Sequence, residues 1–286
     1  MGGGKAVDAG KASAHRLEIP CVVVPTLASN DAPCAAVSVI YTAEGVTLDV
    51  EIYDESPLLV LVDTGVVAAA SERHLVAGIG DAMATWYEAR ACTQHPEGVT
   101  AFGGRPALAG IAIGKLCAET LFEFGCAALE AARNSRVTPA LEKVVEANTL
   151  LSGLGYESGG LAAAHAYAQG FTVLDRVHRN YLHGEMVAIG TLAQLHLQGD
   201  DAEAQRVTEF FLQVGLPVHL GHLGLSGDDE EALTAVVKGA MAFPFLGNLI
   251  ADTSQFCLLQ ALRTLDETGR RLATAGEDKA YQALHR

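Results

Sequence analysis

The stretch GLAAAHAYAQGFTVLDRVHRNYLHGEMVAIG, residues 160–190, sets His165 and His183 among alanines, leucines and glycines. An imidazole in apolar surroundings needs a partner for each ring nitrogen. Two readings are open at this point. Both histidines are core residues bonded to backbone carbonyls, or one nitrogen of each faces a shared space between two helices and holds a metal ion.

Outward from this stretch the helical spacing of apolar residues continues. Long alanine- and leucine-rich segments at residues 105–133, 138–152, 185–198 and 201–214 predict helices, and residues 224–231 read as a loop feeding another. The GYESGG turn with Glu157 and Ser158 reads as a helix start. Upstream of Gly65 the pattern changes to short β-branched runs at 20–26, 36–42, 47–53 and 58–64, separated by turn material such as Ala43-Glu44-Gly45. The expected fold class is therefore α/β followed by all-α: a small α/β piece over residues 1–65, then a helical domain over residues 66–286.

Composition narrows the function. Of 286 residues, 50% are hydrophobic and 19% charged, enough to bury a large core. A net charge of -15 leaves no clustered Lys and Arg for phosphate backbones or anionic lipid, so nucleic-acid and membrane-surface partners are excluded. The six cysteines are widely spaced without a Cys-x-x-Cys pair, which fits a reducing cytoplasm better than a disulfide scaffold or zinc ribbon.

Two further segments carry chemistry-bearing residues. The opening GGGKAVD looks like a loop entering a helix, a geometry that gathers backbone N–H groups around a phosphate, although three glycines there also read as a flexible tail. In GIGDAMATWYE, residues 78–88, Asp81 reads as a carboxylate at the head of a helix, either an N-cap or a third metal ligand. Trp86 and Tyr87 read as core anchors. His219 and His222 lie in a loop with a spacing able to ligate metal, but surface placement is the expectation. His178 is close enough in sequence to support the two histidines.

Five motifs in order, GGGKAVD, PTLASNDAP, GIGDAMATWYEA, GLGYESGGLAAAHA and YLHGEMVAIGTLAQL, resemble the glycerol dehydrogenase branch of the iron-containing (group III) alcohol dehydrogenase superfamily. The resemblance implies a remnant of a Rossmann-like dinucleotide domain joined to a large helical metal-binding domain. It implies a divalent metal on Asp81, His165 and His183, with Thr85 standing where the iron-using branch has histidine, which favours zinc. Gly3, Gly4, Lys5 and Asp8 match the loop that holds the NAD pyrophosphate. Thr26, Ser29, Val37 and Tyr41 match positions on the nicotinamide side, and Asp31 matches the carboxylate that receives substrate hydroxyls.

The implied activity is NAD-dependent oxidation of glycerol or a related polyol to dihydroxyacetone, in a cytoplasmic homo-oligomer, an octamer by family resemblance. Ala168-Gln169-Gly170 replaces the family's His-Asn-Gly, and Ala35 replaces a serine. The family's strands and helices upstream of GGGK have no counterpart, so the chain reads as N-terminally truncated with weakened NAD binding. A dehydroquinate synthase-like cyclase is the alternative enzyme, disfavoured by only 19 Lys and Arg. A non-enzymatic remnant of the same family is the other.

Overall fold

The computed structural model describes residues 1–42, 47–274 and 278–285; the turn expected at Ala43-Glu44-Gly45 lies outside these. The chain opens with helix α1 (Gly4–Arg16), followed by β1 (Val22–Val23), β2 (Val37–Tyr41), β3 (Thr47–Ile52) and β4 (Leu59–Val60). β2 and β3 form an antiparallel pair in the register Val37↔Ile52, as their β-branched runs predict. The runs at 20–26 and 58–64 are shorter strands than expected. β1 and β4 pair in parallel over two residues each, Val22↔Leu59 and Val23↔Val60.

The rest of the described chain is helical. α2 (Thr64–Ala68) and α3 (Glu72–Gln94) lead into α4 (Leu108–Arg133), which starts after Pro106. The single helix expected over 138–152 is instead α5 (Pro139–Glu146), a π-helical turn (Ala147–Leu151) and α6 (Ser152–Gly159). Thr138 caps α5 by accepting from the Leu141 amide, and Pro139 fits the first turn, where its missing N–H costs nothing. Glu157 and Ser158 close α6; they do not begin a helix.

α7 (Ala163–Thr172), α8 (Asp175–Asn180), α9 (His183–Leu197) and α10 (Asp201–Val214) follow. α11 (Glu230–Met241), α12 (Gln255–Leu272) and α13 (Lys279–Leu284) complete the fold. The loop at 224–231 does feed a helix, with Asp229 capping α11 through the Ala232 amide. Among the described residues no helix is long and apolar enough to cross a membrane.

α3 is the axis of the helical part. Its residues from Leu75 to Cys92 are nearly all buried, as expected of a helix apolar around its circumference, and it packs against α4, α6, α7 and α9. Glycines let these helices approach closely. A Cβ on Gly80 would lie 2.4 Å from the Gly184 carbonyl oxygen, and one on Gly190 would lie 2.1 Å from that of Ala164. Gly78 does the same for the loop after β1, its ideal Cβ falling 2.0 Å from the Ala28 oxygen. Three helices and one loop are thereby drawn together around the middle of α3.

Candidate metal centre

Asp81 sits in the middle of α3, not at a helix head: Ser71 precedes the helix, and Gly78 and Gly80 are contact points inside it. Its carboxylate points to where α7 and α9 begin. His183 is the first residue of α9 and His165 lies in the first turn of α7. Their Nε2 atoms lie 3.3 Å and 3.6 Å from Asp81 Oδ1, with ring centroids 5.6 Å apart. One ligand atom from each residue falls within 4.8 Å of the others, so the sequence's three candidates form one cluster.

The donor set fits a divalent cation. Asp81 is 2% exposed, yet neither carboxylate oxygen completes a hydrogen bond. A buried carboxylate left this way is costly unless something positive meets it. Burial works to raise its pKa, but the attraction of His183 and His165 outweighs burial and holds it below the usual carboxylate range. Two imidazoles and one carboxylate with solvent access through the half-exposed His183 side chain match an open divalent-cation site more than a closed structural one.

Sequence reasoning missed the group that orients His165. Glu88, two turns after Asp81 on α3 and fully buried, accepts from the His165 Nδ1 at 2.5 Å and from the amides of His165 and Ala162 at 2.9 Å. A proton held on Nδ1 leaves Nε2 as the lone-pair donor toward Asp81's side, the usual carboxylate–histidine–metal arrangement. The available signal was the spacing of Asp81 and Glu88, seven residues apart on one helix face. Glu88→Gln should lower zinc affinity roughly 10- to 100-fold, measured by competition with a chelator; unchanged affinity would refute this role.

Burial opposes charge on His165, but Glu88 and Asp81 on its two ring nitrogens outweigh it and raise its pKa well above the ordinary value. Protonated His165 therefore stabilises the cation-free fold below its unfolded pKa of about 6.5, and this contribution is lost as pH rises through the higher folded value. Asp31, pushed up to about 7 by burial and by the Asp81 charge, acts in the same direction. Cation binding needs the neutral ring. As pH rises above about 6.5 the increment in melting temperature added by zinc should grow; an increment flat with pH would contradict this.

Asp31 reaches the cluster from the loop after β1. Its Oδ2 accepts from the Ser152 hydroxyl at 2.9 Å, and Asp81, His165 and His183 all act on its charge. Asn148 ties the same loop to α3 by donating to the carbonyls of Ala28 and Leu75.

Among the nucleotide-side candidates, Gly3 and Gly4 lie at the start of α1. Gly2 bridges to Pro25, its amide donating to Val24 and its carbonyl accepting from Thr26, so the N-terminus of α1 lies beside the loop carrying Thr26 and Ser29. Gly3 caps α1 without a side-chain hydrogen bond, and an alanine at Gly4 would press on Asn30 at 2.5 Å. Asp8 turns inward to Lys11, 3.1 Å away. Lys11, which the sequence did not single out, donates to the carbonyls of Ala32, Ala35 and Val37 and anchors that loop to β2. The Tyr41 side chain lies outside the described residues, although its backbone is in β2.

Two other expectations resolve differently. Tyr87 is fully buried, its hydroxyl donating to Glu203 at 2.7 Å, so it is a core anchor as expected. His222 is not on the surface. It is 6% exposed in a 3-10 turn (Leu220–Leu223), stacked between His219 and Tyr281, with His285 on the far face of Tyr281. Burial, His219 and His285 push its pKa down to about 3, so it stays neutral in this stack. Its imidazole serves the docking of α13.

The family model described as iron-containing alcohol dehydrogenase matches residues 1–71. Glycerol dehydrogenase of Escherichia coli is 45% identical over 273 residues, covering 95% of this chain and 74% of the relative. The chain belongs to the iron-containing alcohol dehydrogenase superfamily. Within the superfamily, glycerol dehydrogenase of Thermotoga maritima is 50% identical over 242 residues, covering 84% of this chain. A probable glycerol dehydrogenase from Sinorhizobium meliloti, a solved structure, superposes with a TM-score of 0.90 at 39% identity over 95% of this chain. The chain spans 66% of the length of the Thermotoga relative and 76% of the Sinorhizobium one.

Proposed function

We propose that this superfamily member is an NAD-dependent polyol oxidoreductase that oxidises glycerol to dihydroxyacetone, or a related polyol to the corresponding hydroxyketone. The observation that carries the reading is the convergence of Asp81, His165 and His183 around a buried carboxylate whose oxygens have no hydrogen bond. In the reaction the carbinol carbon gives up its hydrogen with two electrons to NAD, and the hydroxyl proton passes to solvent.

Asp81, His165 and His183 would hold the cation, which we take as zinc because Thr85 occupies the place of the iron branch's fourth ligand. A cation there supplies Lewis-acid stabilisation of negative charge developing on the substrate oxygen. Glu88 keeps His165 in the ligating tautomer. Asp31 accepts a second substrate hydroxyl, and a site built to bond hydroxyls leaves polar groups unpaired with a simple alcohol, which favours polyols. The N-terminus of α1, with Gly3, Gly4 and Lys5, offers backbone N–H groups and a helix dipole to the cofactor's diphosphate. Asp8 supports that helix through Lys11. Thr26, Ser29, Val37 and Tyr41 belong to the nicotinamide side of the same reading. So do the division into a nucleotide unit at residues 1–65 and a metal unit at 66–286, the homo-octamer and the cytoplasmic location.

The test is NADH formation by the zinc-loaded chain with glycerol and saturating NAD. The expected result is zinc-dependent turnover that stops on chelation and is faster with glycerol than with 2-propanol. Absence of turnover with zinc demonstrably bound would overturn the reading.

A further inference from the structure

Thr85 departs from the pattern that most helical threonines of this chain follow. Thr93, Thr120, Thr149, Thr191 and Thr208 each donate to the carbonyl four residues back, the common resting place for a threonine hydroxyl inside a helix. Thr85, one turn after Asp81 on α3, instead has its hydroxyl 2.9 Å from the Ser152 hydroxyl on α6. Both side chains are buried, at 1% and 0% exposure. Gly155 on α6 makes room for the Thr85 methyl, since a Cβ there would lie 2.6 Å from it, and the hydroxyl faces Ser152.

A hydroxyl has one hydrogen to give. With Asp31 ionised, Ser152 gives its hydrogen to Oδ2 at 2.9 Å, and Thr85 is then the donor to Ser152. The result is a directed chain, Thr85 to Ser152 to Asp31, that ends on a carboxylate and is strengthened by it. We propose that Thr85 and Ser152 are positioning residues which hold Asp31 as the acceptor for a second substrate hydroxyl and so set the preference for a polyol over a monohydric alcohol. The inference rests on the reading of Asp31 as the substrate-hydroxyl acceptor. The side chain at position 85 then has a task of its own: a larger residue there, able to reach the cation, could not complete this chain.

The experiment uses the full chain loaded with cobalt(II), whose visible absorption reports occupancy of its coordination sphere, titrated with glycerol and with 2-propanol. Thr85→Val keeps the shape and removes the hydroxyl; Ser152→Ala breaks the next link; Thr85→Ser restores the donor. Wild-type chain is expected to bind glycerol more tightly than 2-propanol. Thr85→Val and Ser152→Ala should each weaken glycerol about five- to tenfold, leave 2-propanol and cobalt affinity within about twofold, and Thr85→Ser should recover wild-type behaviour. Wild-type glycerol affinity in both variants would overturn the proposal. So would equal losses for both alcohols or for cobalt, which would make Thr85 and Ser152 supports of the metal helix. A wild-type chain with no preference for glycerol, or a preference that survives Asp31→Asn, would overturn the reading of Asp31 itself and the inference with it.

Discussion

Asp81→Asn should abolish the stabilisation that zinc confers on this chain. Wild-type protein at a zinc concentration a thousandfold above its dissociation constant gains about 4 kcal/mol of unfolding free energy by mass action, because the unfolded chain offers no assembled site. The asparagine is nearly isosteric but brings no charge, and its amide can satisfy itself as a donor where the carboxylate oxygens cannot. The loss of zinc affinity should exceed the roughly 10- to 100-fold expected for a supporting residue such as Glu88. Urea unfolding with and without zinc measures it. A zinc-dependent gain in Asp81→Asn close to that of wild type would mean that the cation binds elsewhere.

Gly184→Ala should be the most damaging single-methyl change in the centre. Gly184 follows the ligand His183 on α9, and the added Cβ would lie 1.8 Å from the Ala77 carbonyl oxygen and 2.6 Å from its carbonyl carbon. The neighbour is helix backbone on α3, not the end of a flexible side chain, so α9 must move away from α3. Overpacking of this kind typically costs about 1–3 kcal/mol and more where backbone meets backbone, so a loss near the top of that range is expected. The displacement also separates His183 from Asp81, and zinc affinity should fall together with stability. By contrast Gly247→Ala, where an added Cβ meets nothing within 4 Å, should leave both within about 0.5 kcal/mol of wild type. Thermal unfolding and zinc competition on the two variants check this; equal behaviour of the pair would refute the close-approach account.

The same glycines explain what was and was not legible in the sequence. The helix at 201–214 follows from apolar spacing because it buries one face, and that at 183–197 from a long apolar run because it is buried on all sides; their bounds differ from expectation by little. The three ligands were recoverable only through motif resemblance, since nothing local says that residues 81, 165 and 183 meet. Gly78 and Gly80 looked like the approach to a helix, and Asp81 like its cap, because glycine in a helix interior is intrinsically unfavourable. Here the cost is met by helix crossing, which is a tertiary fact. Ser152 was hidden for a related reason: it follows a π-helical turn, where the 3.6-residue period that assigns faces does not hold. Glu88 was visible as a periodic partner of Asp81 but gave no sign of which ring it would meet. The short β1–β4 pairing was not legible because β-branched content alone does not specify how far a strand is paired.

The centre of this account is that Asp81, His165 and His183 form a single cation site. Zinc K-edge X-ray absorption on the chain loaded with one equivalent of zinc tests it most directly. The account predicts a first shell of nitrogen and oxygen only at about 2.0–2.1 Å, with outer-shell scattering from two imidazoles, and its loss in His183→Ala. Sulfur at about 2.3 Å, from any of the six cysteines, or a spectrum unchanged by His183→Ala, would contradict it.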